Sequence, residues 1–383
     1  MMKMNIVRAW IVLLAVTVSW PTAAQPSTQQ RKAPSRPAKP NYEVRGQLTN
    51  APAGTRVYLT DYVGGRHQPL DSTATDAAGR FRMRGLVAAP SIYNLRVRGH
   101  DQSAGLALAP GSRLQVRGDA PQLWRTGAVS GSKEAVALSG MNREHARILK
   151  RVEELAQQRQ TTTDTAALRR LEQEWSASFT AMKAASRRVA GQSSYVAPFV
   201  AATFLSGGNG DEAFVDSATT RYVRQWPASR YTKQLLHYQA MRRATAVGQL
   251  APDVQLPAPN DKRVALSGLR GKYVLLDFWA SWCGPCRQEN AALVRLYQQY
   301  QPKGFEVYGV SVDSRKDDWT GAIRKDGLLW PQVWDAPSET SVASTVYNIY
   351  EYPTSFLLDP QGRIIARNLR GEALAQKLAE LLP

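Results

Sequence analysis

The chain has 383 residues, with 49 Lys and Arg against 31 Asp and Glu, a formal charge of +18 and a pI near 10.0. That length allows more than one core, and a total of two cysteines excludes a scaffold stapled by several disulfides. From Val247 onward fifteen Lys/Arg meet fifteen Asp/Glu, so the whole positive excess lies earlier.

Residues 1–24 read as a secretory signal peptide. Lys3 and Arg8 charge its start, Ala9 to Val18 is apolar apart from Thr17, and Thr22-Ala23-Ala24 supplies small residues before Gln25. The apolar core falls short of the ~20 residues of a membrane span, and no later stretch reaches that length. The expected product is a soluble protein in the periplasm, with an uncleaved anchor as the alternative. Residues 25–41 are basic and proline-rich, with too little apolar surface to fold, and are expected to form a disordered linker.

Residues 42–131 hold short β-rich runs between Gly, Asn, Asp and Pro, among them Tyr42-Glu43-Val44-Arg45, Arg56-Val57-Tyr58-Leu59, Arg80-Phe81-Arg82-Met83 and Arg113-Leu114-Gln115-Val116. They predict a small antiparallel sandwich or barrel. Over 132–246 the period changes: Ile148, Leu149, Val152 and Leu155 recur at helical spacing, as do Leu168, Leu171, Trp175, Phe179 and Met182. Four or five helices are expected, with Asp164 and Asp211 as N-caps and the second stripe as core. Neither segment carries a phosphate loop, a metal cluster or a Ser/His/Asp arrangement. The charge surplus of these segments suits an acidic partner or an anionic membrane surface, solvated arginine being the plainer reading. Export argues against nucleic acid.

Chemistry concentrates in residues 247–383. Tyr273 to Trp279 is an apolar run broken by Asp277, the pattern of a strand covered on both faces. Directly after it stand both cysteines, Cys283 and Cys286, and then a helical pattern through Leu293, Leu296, Tyr297 and Tyr300. Zinc would need four ligands, and the four histidines lie in earlier segments, so no metal is expected. A cysteine at a helix N-terminus faces unpaired amides and a positive dipole end, which lower a thiol pKa from about 8.5 toward 7 or below. Cys283 is therefore the expected nucleophile and Cys286, one turn in, the resolving thiol. Asp277, if buried, would carry a raised pKa and take the proton of Cys286; as a strand-edge carboxylate it would be inert. Glu289 lies one turn past Cys286 on the same helix face, and its alternative role is that of an ordinary first-turn acid. Trp279 reads as core. Trp282, beside the reactive sulfur, and Tyr352 would offer apolar surface to a polypeptide target.

The run Leu266 to Glu289, including Asp277-Phe278-Trp279-Ala280-Ser281-Trp282-Cys283-Gly284-Pro285-Cys286, resembles the TlpA/ResA group of thiol-disulfide oxidoreductases in the thioredoxin superfamily, and Tyr352-Pro353-Thr354-Ser355-Phe356 resembles that family's cis-proline strand. The chain departs from many relatives at Ala291, where they carry proline. The tracts Asp76-Ala77-Ala78-Gly79-Arg80-Phe81 and Leu108-Ala109-Pro110-Gly111-Ser112 resemble a β domain of unknown function that precedes such domains in Bacteroidetes. The resemblance implies an α/β, thioredoxin-like C-terminal fold with a mixed sheet built from Tyr273–Trp279, Glu306–Val312, Thr354–Leu358 and Ile364–Arg367, an insertion over Gly327 to Tyr352, and a cis bond at Pro353. It also implies a thiol-tuning role for Glu289 and, from Gly284-Pro285 between the cysteines, a reductive direction. The expected partners are disulfide-bearing exported proteins and a membrane-embedded thiol electron donor, with no cofactor. Two other readings stay open: a thiol peroxidase, although Trp279 to Trp282 stands where a peroxidase carries Pro-x-x-x-Thr, and a non-enzymatic binding or scaffold protein.

Overall fold

The computed structural model describes residues 39–383 apart from 64, 65, 101, 208, 209, 339, 340 and 350. The predicted signal peptide, and the predicted linker up to residue 38, lie outside the described residues. The described chain divides into two compact units between Leu236 and His237.

In the first unit the period-two runs form eight strands: β1 Tyr42–Thr49, β2 Arg56–Val63, β3 Arg66–Ala74, β4 Arg80–Gly85, β5 Ser91–Val97, β6 Ser103–Leu108, β7 Arg113–Asp119 and β8 Ala128–Ser130. They make two four-stranded sheets, ordered β4-β1-β7-β8 and β3-β2-β5-β6. The two share a core of Val44, Val57, Leu59, Leu95, Leu106 and Leu114, so the sandwich expectation holds rather than the barrel. Pairing is antiparallel except between β1 and β7, which run parallel; the long chain between them provides the crossover such a pair needs.

Five longer helices follow: Lys133–Thr161, Thr165–Ala190, Ala197–Phe204, Glu212–Gln225 and Arg230–Ala244. Asp164 and Asp211 cap the second and fourth, accepting from the amides of Ala166 and Phe214. Leu138 and Met141 of the first helix cluster with Ile92 and Ala107 of β5 and β6, so helices and sandwich are joined by one apolar contact region. The Leu168 to Met182 stripe is half-buried rather than core, because the helix that carries it packs chiefly against the Lys133–Thr161 helix.

The second unit opens with a small hairpin, β9 Gln255–Pro257 and β10 Arg263–Ala265. Its main sheet contains β11 Tyr273–Trp279, β12 Phe305–Ser311, β13 Gln332–Trp334, β14 Thr354–Leu358 and β15 Ile364–Arg367, in the order β13-β12-β11-β14-β15. The first three are parallel, β14 runs antiparallel to β11, and β15 runs antiparallel to β14. Helices Gly284–Tyr300, Lys316–Asp326 and Gly371–Leu381 complete the thioredoxin-like mixed α/β arrangement. β13 lies inside the segment read as an insertion; three residues are too few to show a period of two. Every residue of β12 is buried, as expected of a strand covered on both faces. Gly309 in β12 leaves room for the Gln332 amide: a Cβ there would stand 2.5 Å from Gln332 Oε1 and displace it. That oxygen accepts the indole N–H of Trp279 at 3.0 Å, which holds the end of β11 in the core.

Phe278, Tyr347 and Phe356 pack ring against ring beneath β11, with Phe278 and Phe356 fully buried. Phe356→Ala should cost about 3–5 kcal/mol in urea unfolding followed by tryptophan fluorescence. A loss under about 1 kcal/mol would show that this cluster does not carry the unit's stability.

Candidate active site

β11 ends at Trp279, and after the buried Ala280 the chain turns into the Gly284–Tyr300 helix with Cys283 as its N-cap residue. Cys283 Sγ accepts a hydrogen bond from the Cys286 amide at 3.3 Å, which satisfies one of the unpaired donors of the first helical turn. The two cysteines are joined as a disulfide, with Cα atoms 5.3 Å apart. Both are nearly covered, Cys283 4% and Cys286 2% exposed.

The turn is clamped from behind. The buried Asp313 carboxylate, just past β12, accepts from the Ser281 amide at 2.9 Å and from the Ser281 hydroxyl at 2.6 Å. Arg287 donates to the Ser281 carbonyl at 3.1 Å and pairs with Asp326, which also accepts from Asn290. Asp313, Arg287 and Asp326 went unremarked in the sequence because their partners come from separate segments; Arg287 and Asp326 are 39 residues apart.

On the buried side of the pair lies a cavity of about 30 Å³, room for a water molecule. Asp277, Cys286, Glu289, Pro353, Ser355 and Arg370 line it. Asp277 faces Ser355 across the β11–β14 pairing, and the Ser355 hydroxyl is buried without a hydrogen-bond partner. Arg370 Nη1 pairs with Glu289 at 3.1 Å, while its Nη2 is buried and unpartnered. Desolvation pushes the Asp277 carboxyl up to about 7; the positive charge of Arg370 opposes this and the negative charge of Glu289 adds to it. Asp277 is thus a desolvated cavity carboxyl and not a solvent-exposed strand-edge one. Arg370 and Ser355 were not singled out from sequence, since neither is near a cysteine along the chain.

The outer side is apolar. Trp282 is 63% exposed and meets the half-buried Tyr352 edge to face, centroids 6.0 Å apart. The Tyr352–Pro353 bond is cis, and Pro353 lines the cavity with Cys286. Trp279 is 1% exposed, a core residue. Of the residues named from sequence, Cys283, Cys286, Asp277, Glu289, Trp282, Tyr352 and Pro353 all gather around one disulfide. The helix beyond Cys286 continues unbroken past Ala291 to Tyr300.

In comparison with known proteins, residues 247–367 match the AhpC/TSA family and residues 42–138 match a domain of unknown function, DUF4369. The thiol-disulfide oxidoreductase ResA of Bacillus subtilis is 32% identical over 33% of this chain and 69% of its own. ResA of Geobacillus thermodenitrificans is 34% identical over 37% of this chain and 80% of its own. Among solved structures, a thiol-disulfide oxidoreductase from Bacteroides fragilis is 42% identical, covering 35% of this chain and 100% of that one with a TM-score of 0.33.

The Asp277 environment has a thermodynamic consequence. Its folded value of about 7 exceeds that of an unfolded aspartate, about 3.9, so the folded chain holds the proton more tightly. Stability then falls as pH rises from about 4 through about 7. Asp277→Asn should remove that fall, raising the oxidised protein's stability at about pH 8 by a few kcal/mol, each pKa unit being worth about 1.4 kcal/mol, and leaving it little changed at about pH 4. Thermal melts at the two pH values check this, and an equal change at both would contradict it.

Proposed function

The chain belongs to the ResA-like thiol-disulfide oxidoreductases, and from that premise we propose that it is exported to the periplasm and reduces disulfides in other proteins through Cys283 and Cys286. The observation that carries this reading is the placement of Cys283 Sγ at a helix N-terminus, on the amide of Cys286, with the Asp277 cavity behind the pair. Export rests on the composition of residues 1–24, and the reductive direction on Gly284-Pro285. In this reading residues 42–131 and 132–246 are accessory and 247–383 form the catalytic domain.

The Cys283 thiolate attacks one sulfur of the target disulfide. The target S–S bond breaks, a mixed disulfide forms, and the departing thiolate takes a proton from solvent. Cys286 passes its proton toward Asp277, directly or through water in the cavity, and its thiolate attacks Cys283 Sγ. The mixed disulfide breaks, the second target thiol is released, and two electrons have left the dithiol. The Cys283–Cys286 disulfide is the end state, returned to the dithiol by a membrane-embedded thiol donor. Glu289 acts on Asp277 through charge and through its pair with Arg370. Trp282 and Tyr352 give the target an apolar seat, and the backbone beside Pro353 faces the same sulfurs.

Cys283→Ala should abolish insulin-disulfide reduction, and Cys286→Ala should accumulate mixed disulfides that dithiothreitol releases. Turnover retained in the first variant would refute the assignment. Peroxide consumption lost in that variant, with no insulin reduction in the parent, would make the chain a thiol peroxidase instead.

Arg370→Gln removes the one charge that holds the Asp277 pKa down. Because Asp277 accepts a proton only when ionised, the pH–rate profile for insulin reduction should move to higher pH. Activity near pH 6 should fall several-fold, about tenfold for each pH unit the profile moves. An unmoved profile would show that Asp277 does not take the proton.

A further inference from the structure

Six of the arginines that precede residue 247 share one face of the N-terminal sandwich. The registers of β4, β1 and β7 set three rows of residues across the sheet: Arg84, Glu43, Arg113; Arg82, Arg45, Gln115; and Arg80, Gln47, Arg117. The alternating neighbours Val44, Phe81, Met83, Leu114 and Val116 are buried, which turns these rows outward. Strands lie ~4.8 Å apart and same-face residues ~7 Å apart, so six guanidiniums stand on a patch only some tens of ångströms around.

Glu43 is the sole carboxylate in the rows. Its side chain is 5% exposed, and Arg45, Arg82, Arg84 and Arg113 lie 2.5, 2.7, 3.1 and 3.4 Å from it. One buried carboxylate cannot neutralise four guanidiniums, and the side chains of Arg45 and Arg113 remain 62% and 81% exposed. Arg80 has Asp76 at 2.8 Å. Arg82 sits directly opposite Arg45, an unfavourable pairing of like charges.

We propose that this face docks on an anionic lipid surface. It is a sheet face whose rows hold only Arg, Gln and Glu, without the aromatic or aliphatic anchors that carry most protein interfaces. Guanidinium forks match phosphate oxygens two at a time, and a grid of them suits a layer of headgroups. The chain also enters β1 from a run with Arg31, Lys32, Arg36 and Lys39 and no acid, so further cations adjoin the patch in sequence. The inference does not depend on the redox reading.

The test is co-sedimentation of the full chain with phosphatidylcholine vesicles, with and without phosphatidylglycerol. Binding should be stronger to the doped vesicles, and the difference should vanish in high salt. Arg113→Gln with Arg117→Gln should reduce the phosphatidylglycerol-dependent affinity roughly tenfold, while Arg169→Gln with Arg170→Gln, an equal charge loss at exposed helix positions, should leave it near the parent value. Cooperative thermal melts confirm that both variants are folded. The proposal is overturned if phosphatidylglycerol adds nothing, if both double variants lose the same amount, or if the face retains soluble polyglutamate but no vesicles, which would make the partner an acidic polypeptide.

Discussion

A helix begins where a buried strand ends, and the first sulfur after the strand accepts the amide hydrogen of the second cysteine. That one contact, from Cys286 N to Cys283 Sγ, needs the turn held to within a fraction of an ångström. Three supports do this. Trp279, pinned by Gln332 in the space that Gly309 leaves open, fixes the strand end; Asp313 fixes Ser281; the Arg287–Asp326 pair ties the start of the helix to the end of the Lys316–Asp326 helix. Each comes from a different segment of the unit, so the dithiol is stationed by tertiary contacts rather than by its own loop alone.

The sulfurs divide two environments. Inward, four segments each contribute a polar group to a small cavity: Asp277 from β11, Glu289 from the Gly284–Tyr300 helix, Ser355 from β14 and Arg370 from the stretch before the last helix. Asp277 lacks water enough to ionise easily, and Arg370 and Glu289 pull its pKa in opposite directions. A carboxyl poised near neutrality is suited to exchange protons with a thiol. Outward, Trp282 and Tyr352 present apolar surface next to the disulfide. In the proposed cycle, proton handling and target contact are thereby separated by the bond being made and broken.

The N-terminal unit follows different physics. Its sandwich buries one face of each sheet in the usual period-two manner, yet the outer face of β4-β1-β7 concentrates arginine around a covered glutamate. Residues 247–383, which make up most of the second unit, are formally neutral by comparison. Charge and redox chemistry are therefore carried by separate units of one chain.

The amino-acid sequence by itself determined the features set by near neighbours: the Cys283/Cys286 pair at a strand-to-helix turn, the caps at Asp164 and Asp211, the β-rich and helical stretches, and the neutrality of residues 247–383. These are legible because dipoles, caps and periodicity act over one or two turns of chain. The tertiary structure alone decided the parallel partnership of β1 with β7, the short strand β13, the half-burial of the Leu168 to Met182 stripe, and the meeting of Asp277 with Ser355 and Arg370. Those depend on which distant segments exclude water from which side chains. Pattern along a chain reports the faces of elements, while desolvation and pairing are set only when the elements close on one another.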